Sequence, residues 1–258
     1  MTHKDFFTNQ FPEPSQIMED IEKEGYKIYQ NAINPEIYEE IRNFWLNYFS
    51  TDKPQKEVVR GGFSMGEENF NAFTDTNYWR LYRHFDFLWN DPTHEITNQI
   101  MVELHKKRNL AIGTDEDEGL VFSPMCHGMY VSTSYYPPNI GMMTPHEDGL
   151  KKDGKDLPLL HFMFPVTFKG QDYEGGGLSV WNKKNEKIDV DELMKPGDVV
   201  FYLGSQKHGV DTILPYEGKE IGRLAIFSIP VIFLKHKVER SNEPLQLDTN
   251  RRKKFWKR

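Results

Sequence analysis

Between Leu157 and Phe168 the chain reads Leu-Pro-Leu-Leu-His-Phe-Met-Phe-Pro-Val-Thr-Phe, and the alternate residues Leu160, Phe162, Phe164, Val166 and Phe168 are all apolar. Successive side chains of a strand point to opposite faces, so this spacing predicts a strand with one face committed to a core. The other face carries Leu159, His161, Met163 and Thr167, polar enough to line a cavity. From Phe122 onward the texture stays that of short strands punctuated by Gly and Pro, as a double-sheet jelly roll requires. The predicted fold is mainly β with flanking helices: a double-stranded β-helix, or jelly roll, buttressed by N-terminal helices.

The helices announce themselves upstream. Asn34-Pro35-Glu36 is a helix start, since Asn caps, Pro fits the first turn and Glu favours the positive end. After it Ile37, Ile41, Phe44, Trp45 and Tyr48 recur at helical spacing and would face the core. A short strand is expected just before, over Gly25-Tyr26-Lys27-Ile28-Tyr29, and a second helix near Thr93, with Ile96, Ile100 and Leu104 on one side. At 258 residues, with no internal repeat or low-complexity linker, the chain reads as a single domain over 1–258. We divide it into an N-terminal helical and lid region (1–121), a jelly-roll core (122–233) and a C-terminal extension with a basic tail (234–258).

The chemistry is carried by His146-Glu147-Asp148, followed far downstream by His208 and then by Arg223. Two imidazoles and a carboxylate form the ligand set that holds Fe(II) on one face and leaves the other open. In extended backbone, residues i and i+2 point the same way, so His146 and Asp148 can grip one metal while Glu147 turns away. His208 must then arrive from another strand. It follows Pro196-Gly197-Asp198, a turn, and Val199-Val200-Phe201-Tyr202-Leu203, an apolar run, with Gly204 and Gly209 as bends that aim it. Arg223 opens another strand pattern, Arg223-Leu224-Ala225-Ile226-Phe227, and a buried guanidinium there needs a carboxylate or carbonyl partner.

With these residues in this order, roughly residues 122 to 233 resemble the 2-oxoglutarate/Fe(II)-dependent dioxygenases, whose shared pattern is His-x-Asp/Glu, a distant His, then Arg. The strand-helix opening near residues 25–49 is similar to that of phytanoyl-CoA-hydroxylase-like and prolyl-hydroxylase-like members. The resemblance implies that His146, Asp148 and His208 bind Fe(II), that Arg223 binds the distal carboxylate of the cosubstrate 2-oxoglutarate, and that O2 takes a remaining metal position. Tyr135-Tyr136-Pro137-Pro138 looks like the Tyr-x-Pro-Gly stretch ahead of the first histidine in many members, so Tyr135 or Tyr136 is expected to touch the cosubstrate. His161 is a further candidate for contact with cosubstrate or substrate, or a hydrogen-bonded core histidine. Many members read Arg-x-Ser or Arg-x-Thr where this chain has Ala225. The implied reaction is hydroxylation of an unactivated C–H bond with release of succinate and CO2. A carboxylate at position 148 favours that outcome over halogenation, whose enzymes carry a small residue there.

Substrate contacts are expected upstream, in Arg60-Gly61-Gly62-Phe63-Ser64 and Tyr78-Trp79-Arg80-Leu81-Tyr82-Arg83-His84. There Arg80 and Arg83 either meet a small molecule bearing a carboxylate or phosphate, or pair with the abundant acidic residues. Other apparent motifs fail. His94-Glu95 has Asn98 where a zincin needs its second histidine. Gly175-Gly176-Gly177 lacks nucleotide-loop spacing and reads as a turn before Leu178, and Cys126 has no partner to activate it.

A net charge of −7 argues against broad nucleic-acid affinity, although six of the last eight residues are basic, which we read as a solvated tail. One cysteine suits a reducing compartment, and no run approaches membrane-spanning length, so a cytoplasmic protein with a small-molecule substrate is expected. Two other classes use the same ligands: a redox-silent cupin-like metal-binding jelly roll, which would not need Arg223, and a hydroxylase of protein or nucleic acid.

Overall fold

The computed structural model describes residues 6–50, 56–58, 65–75, 78–120, 127–152, 155–157 and 159–233. The segment 60–64, Cys126 and the extension 234–258 lie outside the described residues. In chain order the first elements are α1 (Pro14–Glu24), β1 (Tyr26–Tyr29), α2 (Pro35–Ser50), β2 (Lys56–Val58), β3 (Glu68–Asp75), β4 (Tyr78–Leu88) and α3 (Glu95–Ala111). Then follow β5 (His127–Tyr136), β6 (Met142–His146), β7 (Leu150–Lys152), β8 (Lys155–Leu157), β9 (Leu160–Pro165) and β10 (Gly175–Trp181). The last are β11 (Lys187–Asp189), α4 (Val190–Leu193), β12 (Val199–Leu203), β13 (His208–Leu214) and β14 (Arg223–Phe233).

The predicted helix starts are in place. Asn34 Oδ1 accepts a hydrogen bond from the Glu36 amide at 3.0 Å, and Ile37, Ile41 and Trp45 are buried along one face of α2. The helix α1 was not among the expectations, yet it has its own signals: Pro14 in the first turn, Ile17 and Ile21 one turn apart, and Gly25 closing it at φ +87°. The Gly25 amide donates to Ile21 O at 2.7 Å, and the chain turns directly into β1.

Ten strands run in the order β1-β12-β9-β14-β5-β4-β6-β13-β10-β11, with β3 also pairing to β4 and β2 to β3. Only the β2–β3 pairing is parallel among the described strands. In β4, Arg80 and Leu81 pair with β6, whereas Arg83 through Leu88 pair with β5. The sheet therefore curls at β4 and closes two layers into a mainly antiparallel jelly roll. The strand content thus begins upstream of residue 122: β4 is an integral strand, and residues 1–121 are more than a helical layer. Gly175–Gly177 also differ from expectation, forming a bulged start to β10 rather than a turn.

Alternation decides what each face meets. Leu160, Phe162 and Phe164 of β9, Val199 and Phe201 of β12, and Leu224 and Ile226 of β14 pack against Ile17, Ile41, Trp45 and Ile100 of the helices. Met163, Val200 and Ala225 point the opposite way and join Leu178 and Val180 inside the roll. The apolar face read from alternate residues of 160–168 is the one that the helices cover.

A buried polar cluster ties α3 to the loop that follows it. His105 Nε2 lies 2.7 Å from Glu118 O, so it donates there, and Nδ1 accepts from Arg108 Nη2 at 3.1 Å. Burial, aided by the Arg108 charge, pushes the His105 imidazole down to about 3. A histidine with a depressed folded pKa stays neutral in the native state while the unfolded chain takes up a proton below about 6.5. Stability is therefore complete above about pH 6.5 and declines as pH falls toward 3, by up to about 1.4 kcal/mol per pH unit from this group. Urea unfolding of metal-free protein at pH 7 and pH 4.5 checks this, and His105→Gln is expected to flatten the dependence.

Candidate metal centre

The pairing of β6 with β13 sets His208 directly opposite His146. This close approach requires Gly209, because a Cβ there would lie 2.8 Å from Met143 O and from Pro145 Cα. Asp148 lies two residues past the end of β6 and its amide donates to Gly204 O at 2.7 Å, tying it to the end of β12. One ligand atom each from His146, Asp148 and His208 can be chosen so that all lie within 4.8 Å of one another. Three donor atoms at that separation can share a single ion.

Both imidazoles are already oriented. His146 Nδ1 lies 3.0 Å from Thr144 O and His208 Nδ1 lies 2.8 Å from Gln206 O, so each Nδ1 carries the proton and donates to a carbonyl. That fixes the tautomer that leaves Nε2 lone pairs facing Asp148, at 3.9 Å from Oδ1 for His146 and 3.6 Å from Oδ2 for His208. Burial, then the neighbouring His208, lowers the His146 pKa to about 4, keeping it neutral and free to bind metal at pH 7. Burial alone would raise the Asp148 carboxyl, but the hydrogen bond from His161 and the surrounding imidazoles reverse this and hold it well below the usual carboxylate range.

His161 lies on the inner face of β9, as the alternation predicts, with Nε2 3.0 Å from Asp148 Oδ2. Its ring stands 5.2 Å from Tyr202 and 5.5 Å from His208. This hydrogen bond holds one oxygen of the Asp148 carboxylate in place. Replacing His161 with Leu is expected to weaken Fe(II) or Co(II) affinity about 10–100-fold while leaving both histidines in place. Titration of the Co(II) absorption band measures this.

Arg223 enters from β14 opposite Tyr136 of β5, and its guanidinium carbon lies 5.6 Å from the Tyr136 ring centroid. It is buried, 3 % exposed, and paired to Asp191 through Nε–Oδ2 at 2.5 Å and Nη2–Oδ1 at 3.2 Å. Burial opposes the guanidinium charge, but Asp191 outweighs it and the pKa rises above the ordinary arginine value. The carboxylate partner that a buried arginine requires is thus supplied by the protein itself. Ala225, where a hydroxyl stands in the resembling pattern, packs with Met163 and Val200.

The adjacent tyrosines separate by face. Tyr136 points inward, stacked on Tyr82 at 5.1 Å, and burial drives its hydroxyl pKa well up. Tyr135 points to the helices, stacked on Phe49 at 5.6 Å, and its hydroxyl accepts from the Gly222 amide. Period two divides the arginines in the same way. Arg83 ion-pairs with Glu68 at 2.5 Å, its guanidinium carbon 5.6 Å from the Phe49 ring and 5.3 Å from the Tyr135 ring, on the opposite face of β4 from Tyr78 and Arg80. Arg80 shares its face with Tyr78, which hydrogen-bonds it and lies with its ring 5.4 Å from His146. The Arg83 expectation of substrate contact is thus answered by its alternative, a salt bridge within the protein.

Sequence reasoning missed Tyr202 and Asp191 and named Tyr78 only as part of the stretch Tyr78–His84. Tyr202 was within reach, since it lies at the alternate position that faces inward on its strand. Asp191 gave no local signal, being one acid among 39 acidic residues in the chain.

The curled antiparallel roll is the fold of solved prolyl hydroxylases and of a 2OG-Fe(II) oxygenase family protein, and this chain has that fold. It is similar to a prolyl-4-hydroxylase from Pseudomonas putida (TM-score 0.53, 17 % identity, 83 % of this chain and 96 % of that one). It is also similar to a prolyl hydroxylase from Trichoplax adhaerens, solved with a hypoxia inducible factor oxygen degradation domain peptide fragment (TM-score 0.52, 14 % identity, 93 % and 91 %). A 2OG-Fe(II) oxygenase family protein from Caulobacter crescentus matches comparably (TM-score 0.51, 12 % identity, 93 % and 92 %). No family model and no curated protein matches the sequence. Among the described residues, no helix is long and apolar enough to cross a membrane.

Proposed function

We propose that this protein is a non-haem Fe(II)- and 2-oxoglutarate-dependent oxygenase that hydroxylates an unactivated C–H bond of a small polar or anionic metabolite. The observation that carries the reading is the convergence of His146 Nε2, His208 Nε2 and the Asp148 carboxylate, each already held by a hydrogen bond to another group. Two imidazoles, each with Nδ1 donating to a carbonyl, and a carboxylate fit a ferrous ion in donor type and number.

In this reading His146, Asp148 and His208 hold the iron, and Arg223 with Tyr136 receives the distal carboxylate of 2-oxoglutarate. Bound Fe(II) would bring together O2, the oxidant, and 2-oxoglutarate, whose oxidative decarboxylation to succinate and CO2 would supply two of the four electrons O2 takes up, the substrate C–H bond supplying the other two. The chain's own share is orientation and exclusion of water. His161 holds the Asp148 carboxylate, Tyr202 packs its ring 5.1 Å from His208, and Arg223 stands ready as a buried cation. Arg80, beside Tyr78, supports an anionic substrate group. Residues 1–258 act as a single domain in this reading, within the cytoplasm.

The test is to add Fe(II) and 2-oxoglutarate to metal-free protein without oxygen and record the visible spectrum. A charge-transfer band of the chelated keto acid is expected, and its absence would leave only a passive metal binder. Arg223→Ala is expected to raise the 2-oxoglutarate requirement by about tenfold or more, the loss of a charge-assisted contact, and an unchanged requirement contradicts the assigned role. Succinate release, screened over amino acids, acyl thioesters, phosphonates, nucleosides and proline-containing peptides, then identifies the substrate class.

A further inference from the structure

Asp191 accepts four hydrogen bonds inside the roll, and no metal-binding role accounts for it. It sits on the single turn of α4, 3 % exposed. Its Oδ2 accepts from Tyr173 Oη at 2.6 Å, from the Leu178 amide at 3.0 Å and from Arg223 Nε at 2.5 Å, while Oδ1 accepts from Arg223 Nη2 at 3.2 Å. The backbone is shaped around it: Gly177 has φ +105°, and a Cβ there would lie 2.3 Å from Asp191 Oδ2. The chain thus gives up a side chain on β10 to seat this acid.

The geometry of the pair is one-sided. Asp191 takes the Nε–Nη2 edge of Arg223, and Nη2 also contacts Met163 Sδ at 3.5 Å. Neither contact involves Nη1, so the terminal nitrogen is left for an acceptor from the pocket. A guanidinium gripped along one edge cannot rotate, because both remaining donors are set by the plane of the first pair. It also needs no ligand to be tolerable in the core, since its charge already has a partner.

Accepting Arg223 as the cosubstrate anchor, we propose that Asp191 is its positioning residue, and that by fixing the direction of Nη1 it sets the length of 2-oxodicarboxylate that the pocket accepts. A free arginine would follow a carboxylate one carbon nearer or farther. One clamped by Asp191 cannot.

The test is calorimetric titration of Fe(II)-loaded protein, without oxygen, with oxaloacetate, 2-oxoglutarate and 2-oxoadipate. Wild type is expected to prefer the five-carbon acid, and Asp191→Asn to lose that preference by about tenfold, in line with the loss of other supporting contacts. The carboxamide keeps the shape but turns an NH2 or a weaker acceptor toward the guanidinium. Tyr173→Phe removes one donor to Oδ2 with little risk to folding, and is expected to narrow the preference in the same direction by a smaller factor. Equal weakening of all three acids in Asp191→Asn, or an unchanged preference in Tyr173→Phe should Asp191→Asn not fold, overturns the proposal while the oxygenase reading stands. Wild-type protein that binds none of the three acids overturns both.

Discussion

His208→Ala is expected to abolish turnover and to weaken Fe(II) binding by more than the 10–100-fold that loss of a supporting contact costs, about two orders of magnitude or beyond. The reason is the number of donors. Two protein ligands remain, His146 on β6 and Asp148 just after it, and both come from one short stretch of chain. The imidazole that arrives from β13 is what encloses the ion between separate strands. His208 is 5 % exposed, so its removal also admits water to the space between Tyr202 and His146, whose rings stand 5.1 and 4.4 Å from its own. The fold is expected to survive, because the β6–β13 pairing is made by backbone. Equilibrium dialysis with Fe(II) under nitrogen, beside a far-UV spectrum, separates the two effects. Retention of wild-type metal affinity would remove the basis for the metal centre.

Trp45→Ala is expected to cost about 3–5 kcal/mol of stability, the range for deleting a large buried aromatic. Trp45 is fully buried and is among the largest such side chains among the described residues. It stacks on Phe87 at 6.2 Å, meets Phe85 at 5.8 Å, and donates from Nε1 to Thr97 Oγ1 at 2.9 Å. The variant therefore opens a cavity between α2, α3 and β4 and also loses the buried hydrogen bond to Thr97, whose hydroxyl keeps His94 Nδ1 as a partner at 2.8 Å. For a chain of this size the midpoint should fall by about 10 °C. Thermal and urea unfolding monitored together check it. A loss below about 1 kcal/mol would mean that the helical layer is not clamped to the sheet through this ring.

Much of the architecture was legible because it follows from periodicity. Alternate residues of Leu160–Phe168 named the covered face of β9, and i, i+4 spacing after Asn34 named the buried stripe of α2. The candidate site was legible for a similar local reason: His146 and Asp148 are two apart in extended chain, and His208 follows a turn, an apolar strand and a glycine bend. The upstream strands were harder to read. Tyr78 through His84 mixes arginine with aromatics at every position, so neither face is purely apolar, and the stretch resembles a lid more than the strand β4 that it forms. Its faces are mixed because both are occupied: Tyr82 and His84 look into the roll toward Tyr136, while Arg83 is neutralised by Glu68 beneath α2.

Spacing along the chain thus determined which side chains share a face and which residue types converge where β6 meets β13: two imidazoles and an aspartate. Only the tertiary structure decided who meets whom across elements. It put Tyr136 rather than Tyr135 beside Arg223, turned His161 onto Asp148, paired Arg83 with Glu68, and gave Arg223 the carboxylate of Asp191. The physical reason is range. Periodicity is fixed by the backbone geometry of neighbouring residues, whereas the choice of partner for a buried charge depends on which distant strand the curl of the sheet brings within hydrogen-bond reach.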